Sequence, residues 1–143
     1  MSIILNGHPI IRGQVQGEAL VSNEPLSFWG GFDYHTGKII DQRHPLAGEK
    51  AAGRILAVPF TRGSSTTTAV LLEAVKAGTA PAAIITTAPD SFFALASIVA
   101  DEMYAKPIPL VVLGETEFGQ LQTGRWVVVR DDGQLEVKGN RRD

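Results

Sequence analysis

The sequence has 143 residues, of which 44% are hydrophobic and 20% are charged. This length suits one domain, and a composition so close to the globular average excludes disorder, collagen and coiled coil as descriptions of the whole chain. The 13 Lys and Arg residues against 15 Asp and Glu residues leave a net charge of −2, so no overall cationic field would attract nucleic acid or anionic lipid. We expect a single domain over residues 1–143, with 138–143 as a mobile solvated tail.

The chain contains no cysteine, which excludes a disulfide framework, a thiol nucleophile and thiolate ligation of zinc or of an iron–sulfur cluster by this chain. No basic segment followed by an apolar core opens the sequence, and no apolar run approaches the roughly 18 residues of a membrane span. The sequence therefore predicts a cytoplasmic protein that makes no contact with a membrane.

Between Ile10 and Val21 the alternation has the period of a strand. The apolar residues at odd positions are Ile11, Val15, Ala19 and Val21, and the polar residues at even positions are Arg12, Gln14, Gln16 and Glu18. Gly13 and Gly17 interrupt this pattern, and glycine inside a strand often marks a bulge or the close approach of another backbone. We predict one curved strand over this segment.

The segment from Trp29 to Gly48 is dense in Gly, Asp, His and Pro around Ile39 and Ile40, and we predict a long ordered loop. Phe28 and Trp29, which precede two glycines, allow two interpretations. They form either an apolar platform that faces a partner or part of the core.

The middle of the chain predicts a β-α-β-α-β unit. Short apolar runs that are typical of buried strands cover Ile55–Phe60, Ala82–Thr87 and Ile108–Leu113. A first helix begins near Ala69 and ends before Gly78, and a second covers Phe92–Met103 with Asp90 as its N-cap.

The last segment predicts an antiparallel hairpin, because Asp132-Gly133 separates the alternating runs Arg125–Arg130 and Gln134–Lys138. Helical crossovers make the three central strands parallel. We predict an α/β fold of layered β/β/α type, in which a parallel sheet is flanked by helices and an antiparallel β layer lies on its other side.

The most informative segment for function is 61–66, TRGSST, because it lies between the carboxyl end of a buried strand and the start of a helix. Ligands bind at this position in open α/β layers, and the free amides of the helix favour an anion. Ser64 would become basic only if neighbouring amides and Arg62 stabilise its alkoxide where water is excluded.

A structural interpretation competes with this one, in which Ser65 is an N-cap and Ser64 a turn residue. The segment matches neither the P-loop, nor the dinucleotide-binding glycine pattern, nor the G-x-S-x-G elbow of hydrolases. We therefore do not expect a nucleotide site or a serine nucleophile.

Three histidines are the other candidates for acid–base chemistry at neutral pH: His8, His35 and His44. Their spacing lacks any pair on one helix face, so we expect structural roles and no metal site in this chain. We expect Asp33 and Asp41 to bind loop amides.

Several motifs together resemble the swivel domain, or small subunit, of the aconitase X group. The likeness runs from Gly17 to Ile85 and on through SIVADEMYAKPIP, and its motifs are GEALVS, GG-x-D-x-x-TG-x-II-D at Gly30–Asp41, HPL-x-G at His44–Gly48, RGSS and APAAII. The resemblance implies a three-layer swivelling β/β/α domain. It also implies a hydro-lyase subunit that is inactive without its large subunit, with which it forms a heterodimer.

In this group the large subunit carries an iron–sulfur cluster on its own cysteines, and the active site forms between the two subunits. The resemblance implies that Ser64 is the base and that the substrate-binding residues are Arg62, Gly63, Ser65 and Thr66. Thr66 stands where aconitase and isopropylmalate isomerase carry an arginine, which leaves open whether Arg62 or a partner residue binds the substrate carboxylate.

The group has two known activities, dehydration of cis-3-hydroxy-L-proline in bacteria and of phosphomevalonate in archaea. SFWGG and DEMYAKPIP resemble the bacterial sequences more, so the resemblance implies a small carboxylate, cis-3-hydroxy-L-proline, as substrate. Ser64 would take the α-proton while the partner's cluster iron acts on the 3-hydroxyl as a Lewis acid. The alternatives are a phosphomevalonate dehydratase small subunit and a stand-alone anion-binding module.

Overall fold

A computed structural model of the chain describes residues 2–61 and 65–139. Within them the strands are β1 Ser2–Asn6, β2 His8–Ile11, β3 Val15–Val21, β4 Phe32–Asp33, β5 Lys38–Ile39, β6 Ile55–Ala57, β7 Ala83–Thr86, β8 Leu110–Val112, β9 Trp126–Val129 and β10 Gln134–Lys138. The helices are α1 Ser65–Ala77, α2 Ser91–Tyr104 and α3 Glu115–Phe118. None of the helices described is long and apolar enough to cross a membrane.

Eight of these strands form a mixed sheet in the order β1-β10-β9-β3-β6-β7-β8-β2. The central strands β3, β6, β7 and β8 are mutually parallel. Helices α1 and α2 form the crossovers from β6 to β7 and from β7 to β8, whereas the long segment that contains β4 and β5 connects β3 to β6. The remaining pairs are antiparallel. β3 belongs to both parts, because Val15 to Glu18 pair with β9 and Ala19 to Val21 pair with β6.

The side chains of the parallel strands alternate between two apolar cores. On one face, Leu56 and Ile84 pack with residues of α1 and α2 such as Leu71 and Phe93. On the other face, Ile55, Ile85 and Val111 pack against the antiparallel strands through Leu5, Val127, Val129, Leu135 and Val137. The three-layer β/β/α prediction is therefore confirmed.

The prediction of one curved strand from Ile10 to Val21 is wrong. Residues 12–14 lie outside any strand, and the flanking strands separate: β2 pairs with β8 at one edge of the sheet, whereas β3 lies near its centre. A Cβ on Gly13 would approach Pro109 Cγ to 2.5 Å, so the chain passes close to another segment at the break. Gly17 likewise lies close to a backbone, with the carbonyl oxygen of Gly53 3.0 Å from an ideal Cβ.

Other predicted elements agree with the structure to within a few residues. α1 ends before Gly78, whose φ of +77° suits glycine. The predicted long loop contains the short ribbon β4–β5, in which Phe32 pairs with the fully buried Ile39. Lys138, the first residue of the predicted tail, is the last residue of β10 and pairs with Ser2. Residues 140–143 of that tail lie outside the described residues.

Candidate active site

The two ends of the TRGSST segment are described, although its centre is not. Arg62, Gly63 and Ser64, three of the predicted site residues, lie outside the described residues, as does the side chain of Ser65. The backbone of Ser65 begins α1, and Thr66 is partly buried in its first turn. The segment therefore connects Thr61, beyond the carboxyl end of β6, to the N-terminus of α1.

Thr61 is fixed in place by three separate contacts. Its backbone forms a parallel bridge with Leu26. Its N–H donates to Asp90 Oδ2 over 3.1 Å, and its hydroxyl lies 3.2 Å from the hydroxyl of Thr67 in the first turns of α1. Since Thr61 is buried, these bonds fix the position from which the segment leaves the sheet.

Asp90 joins this point to the second helix. Its Oδ1 accepts hydrogen bonds from the amides of Phe92 and Phe93, which confirms the predicted N-cap of α2. The same carboxylate binds Thr61 through its other oxygen. The first turns of the two helices also meet directly, because the Thr68 hydroxyl donates to the Phe92 carbonyl over 3.1 Å.

His44 connects the loop after β5 to the segment that precedes Leu26. The Leu46 N–H donates to His44 Nδ1 over 3.1 Å, so Nδ1 carries no proton. The network therefore assigns the proton to Nε2, which lies 3.3 Å from the Glu24 carbonyl oxygen and donates to it. Both ring nitrogens of this buried, neutral histidine are used, as the prediction of a structural role requires.

A polar cavity of about 380 Å³ lies between these two segments. It is lined by Glu24, Pro25, Ser27, Asp41, Arg43 and His44. Pro25 and Ser27 flank Leu26, the bridge partner of Thr61, so the cavity lies beside the strand that leads into 62–64. The sequence gives no signal that Glu24, Ser27 and Arg43 share a cavity, because residues 24–27 and 41–44 are brought together only by the fold.

The remaining candidate residues lie in loops or on the surface, and none of those described takes part in a metal cluster. Asp33 accepts hydrogen bonds from the His35 amide and the Thr36 hydroxyl, and Asp41 accepts one from the Arg43 amide, as expected. His8 lies exposed at an edge strand. Within residues 2–61 and 65–139, no three His, Cys, Asp or Glu side chains are placed to hold a metal ion.

Phe28 and Trp29 differ in their surroundings. Phe28 is fully buried and packs against Phe32 and Phe93, with ring centroids 4.9 and 5.4 Å away. Trp29 is 70% exposed. Phe60, next to Thr61, is also exposed, so two large aromatic side chains face solvent on segments that flank the Leu26–Thr61 bridge.

The mixed sheet, with helices on one face and antiparallel strands on the other, defines the class of swivelling β/β/α domains. The family model described as the aconitase X swivel domain matches residues 4–137, and the chain belongs to this family. A solved structure, the holo-form of aconitase X from Thermococcus kodakaraensis, superimposes with a TM-score of 0.84 at 34% identity and covers 94% of this chain and 98% of that one.

Two kinds of curated relative match the sequence. The cis-3-hydroxy-L-proline dehydratase of Pseudomonas aeruginosa is 43% identical over 128 residues, which are 90% of this chain and 22% of that protein. The phosphomevalonate dehydratase small subunit of Pyrococcus furiosus is 38% identical over 134 residues, which are 93% of this chain and 94% of that subunit. The chain thus spans about a fifth of the first relative and nearly all of the second.

Proposed function

We propose that this chain is the swivel subunit of a hydro-lyase that dehydrates cis-3-hydroxy-L-proline, with Ser64 as the base. The observation that carries the proposal is the anchoring of the TRGSST segment. It begins at Thr61, which Asp90 and Thr67 fix at the carboxyl edge of the parallel sheet, and it ends at the N-terminus of a helix. The identity to the Pseudomonas aeruginosa dehydratase supports the substrate assignment.

On this proposal, the chain binds the substrate and removes a proton. Ser64 takes the proton from the α-carbon, and the positive end of the α1 dipole stabilises the negative charge on its oxygen. A serine hydroxyl is a weak base in water, so a partner must exclude solvent when the complex forms. A cationic side chain must bind the substrate carboxylate, and the family resemblance offers Arg62 or a partner residue for this role.

The residues of this chain do not fit the iron–sulfur cluster that the aconitase group implies. The sequence has no cysteine, and the described residues contain no cluster of other metal ligands. We therefore assign the cluster, and the departure of the 3-hydroxyl, to a cysteine-containing large subunit. The part of the Pseudomonas aeruginosa dehydratase that this chain does not match, most of its length, supports such a partner.

We also assign the exposed Trp29 and Phe60 to the contact with that large subunit. Both side chains lie on segments that flank the Leu26–Thr61 bridge, so a partner that closes over 62–64 would also cover them. Exposed aromatic residues are enriched at protein interfaces and often contribute most of the binding energy.

A second candidate is the phosphomevalonate dehydratase small subunit. It is supported by the 38% identity over 134 residues to the Pyrococcus furiosus subunit. The helix N-terminus would also accept a phosphate. A stand-alone anion-binding module is the third candidate.

The test is reconstitution of the chain with its cysteine-containing large subunit and assay of both substrates. We expect turnover of cis-3-hydroxy-L-proline only when both subunits are present. Turnover of phosphomevalonate alone would establish the second candidate. A chain that forms no complex and binds an anion by itself would establish the third.

A further inference from the structure

The cavity beside the Leu26–Thr61 bridge is lined by charged side chains that form no ion pair with the residues that the structure describes. Arg43 makes no ion pair with any residue that the structure describes, whereas Arg54 and Arg130 both pair with glutamates. The Glu24 carboxylate also has no partner among the described residues, and Asp41 uses Oδ1 for the Arg43 amide. One guanidinium and two carboxylates thus line a cavity of about 380 Å³, a volume typical of small-molecule sites.

The cavity wall is rigid where these side chains are attached. His44 bonds to the Leu46 amide and to the Glu24 carbonyl, so it holds residues 24 and 41–46 in one arrangement. The Asp41 carboxylate closes a turn onto the Arg43 amide. These hydrogen bonds therefore fix the backbone from which each charged side chain extends, although Glu24 and Arg43 are exposed residues.

From this arrangement we infer that the cavity is the subsite for the carboxylate and the secondary ammonium group of an imino acid. Arg43, in place of Arg62 or a partner residue, would bind the carboxylate through paired hydrogen bonds, and Glu24 with Asp41 would bind the protonated ring nitrogen. The inference rests on the proposed function and deepens it. In cis-3-hydroxy-L-proline both groups are attached to the α-carbon, so binding them at the cavity places that carbon beside the strand that leads to Ser64.

The same charges discriminate between the two candidate substrates. Two carboxylates and one guanidinium, with a neutral His44, give the cavity an excess of negative charge. A zwitterion with a cationic nitrogen is attracted to both signs. Phosphomevalonate carries negative groups and no cationic nitrogen, so nothing in it would pair with the two carboxylates, and like charges brought close together oppose binding.

The test compares two variants with matched controls in the reconstituted complex. Arg43→Gln and Glu24→Gln remove one charge each from exposed positions. Arg125→Gln and Glu102→Gln make the same changes outside the cavity, where no hydrogen bond or ion pair of these side chains is lost. We expect Arg43→Gln to raise KM for cis-3-hydroxy-L-proline about tenfold or more and to change kcat less than about threefold. In the two control variants, KM and kcat should both stay within about twofold of the unaltered complex.

Two competitive inhibitors test the nitrogen contact separately. L-Proline carries both groups, whereas tetrahydrofuran-2-carboxylate has a ring oxygen in place of the ammonium. We expect the unaltered complex to bind L-proline about tenfold more tightly or better, and Glu24→Gln to reduce that preference to less than about threefold. Arg43→Gln should weaken both inhibitors together.

The outcomes separate the subsite from the proposed function. If cis-3-hydroxy-L-proline is turned over but Arg43→Gln and Glu24→Gln behave like their controls, the subsite is wrong and the dehydratase function stands. If phosphomevalonate alone is turned over, or neither compound is, the proposed function and the subsite are both wrong. If Ser64→Ala keeps full activity while Arg43→Gln raises KM, the subsite stands and the base is another group.

Discussion

His44 shows how a residue that resembles a catalytic group is committed to structure. Its Nδ1 accepts from the Leu46 amide and its Nε2 donates to the Glu24 carbonyl, so neither nitrogen is free to move a proton. Arg43, one position earlier, is exposed, and its guanidinium forms no ion pair with any of the described residues. Of these two neighbouring side chains in one loop, only that of His44 is held by hydrogen bonds.

We predict that His44→Ala lowers the free energy of unfolding by about 1–3 kcal/mol, because two hydrogen bonds of a buried side chain are lost. His44→Asn should be less destabilised, since an asparagine oxygen can accept from the amide two residues later. The measurement is urea unfolding of the isolated chain. The exposed His35→Ala serves as control, with a change below about 0.5 kcal/mol, and equal stability of His44→Ala and His35→Ala would contradict the assignment.

At the scale of elements, the first turn of α2 and the end of the β6 segment depend on one carboxylate. Asp90 caps α2 through Oδ1 and binds the Thr61 amide through Oδ2. The residue therefore couples a helix boundary to the position from which 62–64 begins. The N-cap role of Asp90 can be predicted from the sequence. Its hydrogen bond to the Thr61 amide cannot, because Thr61 is 29 positions away along the chain.

We predict that Asp90→Ala destabilises the chain by about 2–4 kcal/mol, because it removes a helix cap and leaves a buried amide without a partner. Asp90→Asn should keep the cap and lose less stability. Both variants should lower kcat in the complex, since the Thr61 anchor is weakened. Asp101→Ala, on the exposed surface near the other end of α2, is the control for thermal unfolding and turnover. Unchanged kcat in Asp90→Asn would show that the anchor does not matter for catalysis.

The sequence predicts those elements whose patterns are local. The buried strands β6, β7 and β8, helices α1 and α2, and the final hairpin all follow from apolar periodicity with Gly78, Asp90 and Asp132-Gly133 as boundaries. The separation into two strands at Gly13 could not be predicted, because a glycine inside an alternating segment is equally compatible with a bulge in one strand, and Pro109, which lies against Gly13, is distant in sequence. The cavity could not be predicted either, since Glu24 and Arg43 become neighbours only after folding.

At the scale of the whole molecule, the parallel sheet positions the candidate site at one edge. The carboxyl ends of β6 and β7 lead towards the first turns of α1 and α2, which contact each other through Thr68 and Phe92. The polar cavity and the exposed Trp29 and Phe60 lie on segments beside the same strand end. The chain thus gathers polar and apolar groups at a surface that a larger partner can close.

We predict that Trp29→Ala and Phe60→Ala each weaken assembly with the large subunit about tenfold or more, because exposed aromatic residues at an interface contribute strongly to affinity. Isothermal titration of the two subunits measures the effect. Met103→Ala, which removes an equally exposed apolar side chain on α2, should change Kd less than about twofold. If Met103→Ala weakens assembly and the two aromatic variants do not, the partner covers a different face.

The proposed dehydration depends on Ser64 as the base. The most direct measurement is the kcat of Ser64→Ala for dehydration of cis-3-hydroxy-L-proline in the assembled complex, beside Ser91→Ala at the start of the other helix. We predict that Ser64→Ala lowers kcat by a factor of about 100 or more, as expected for loss of a general base, while Ser91→Ala stays within about twofold. A Ser64→Ala complex that turns over substrate at the unaltered rate would contradict the proposed mechanism.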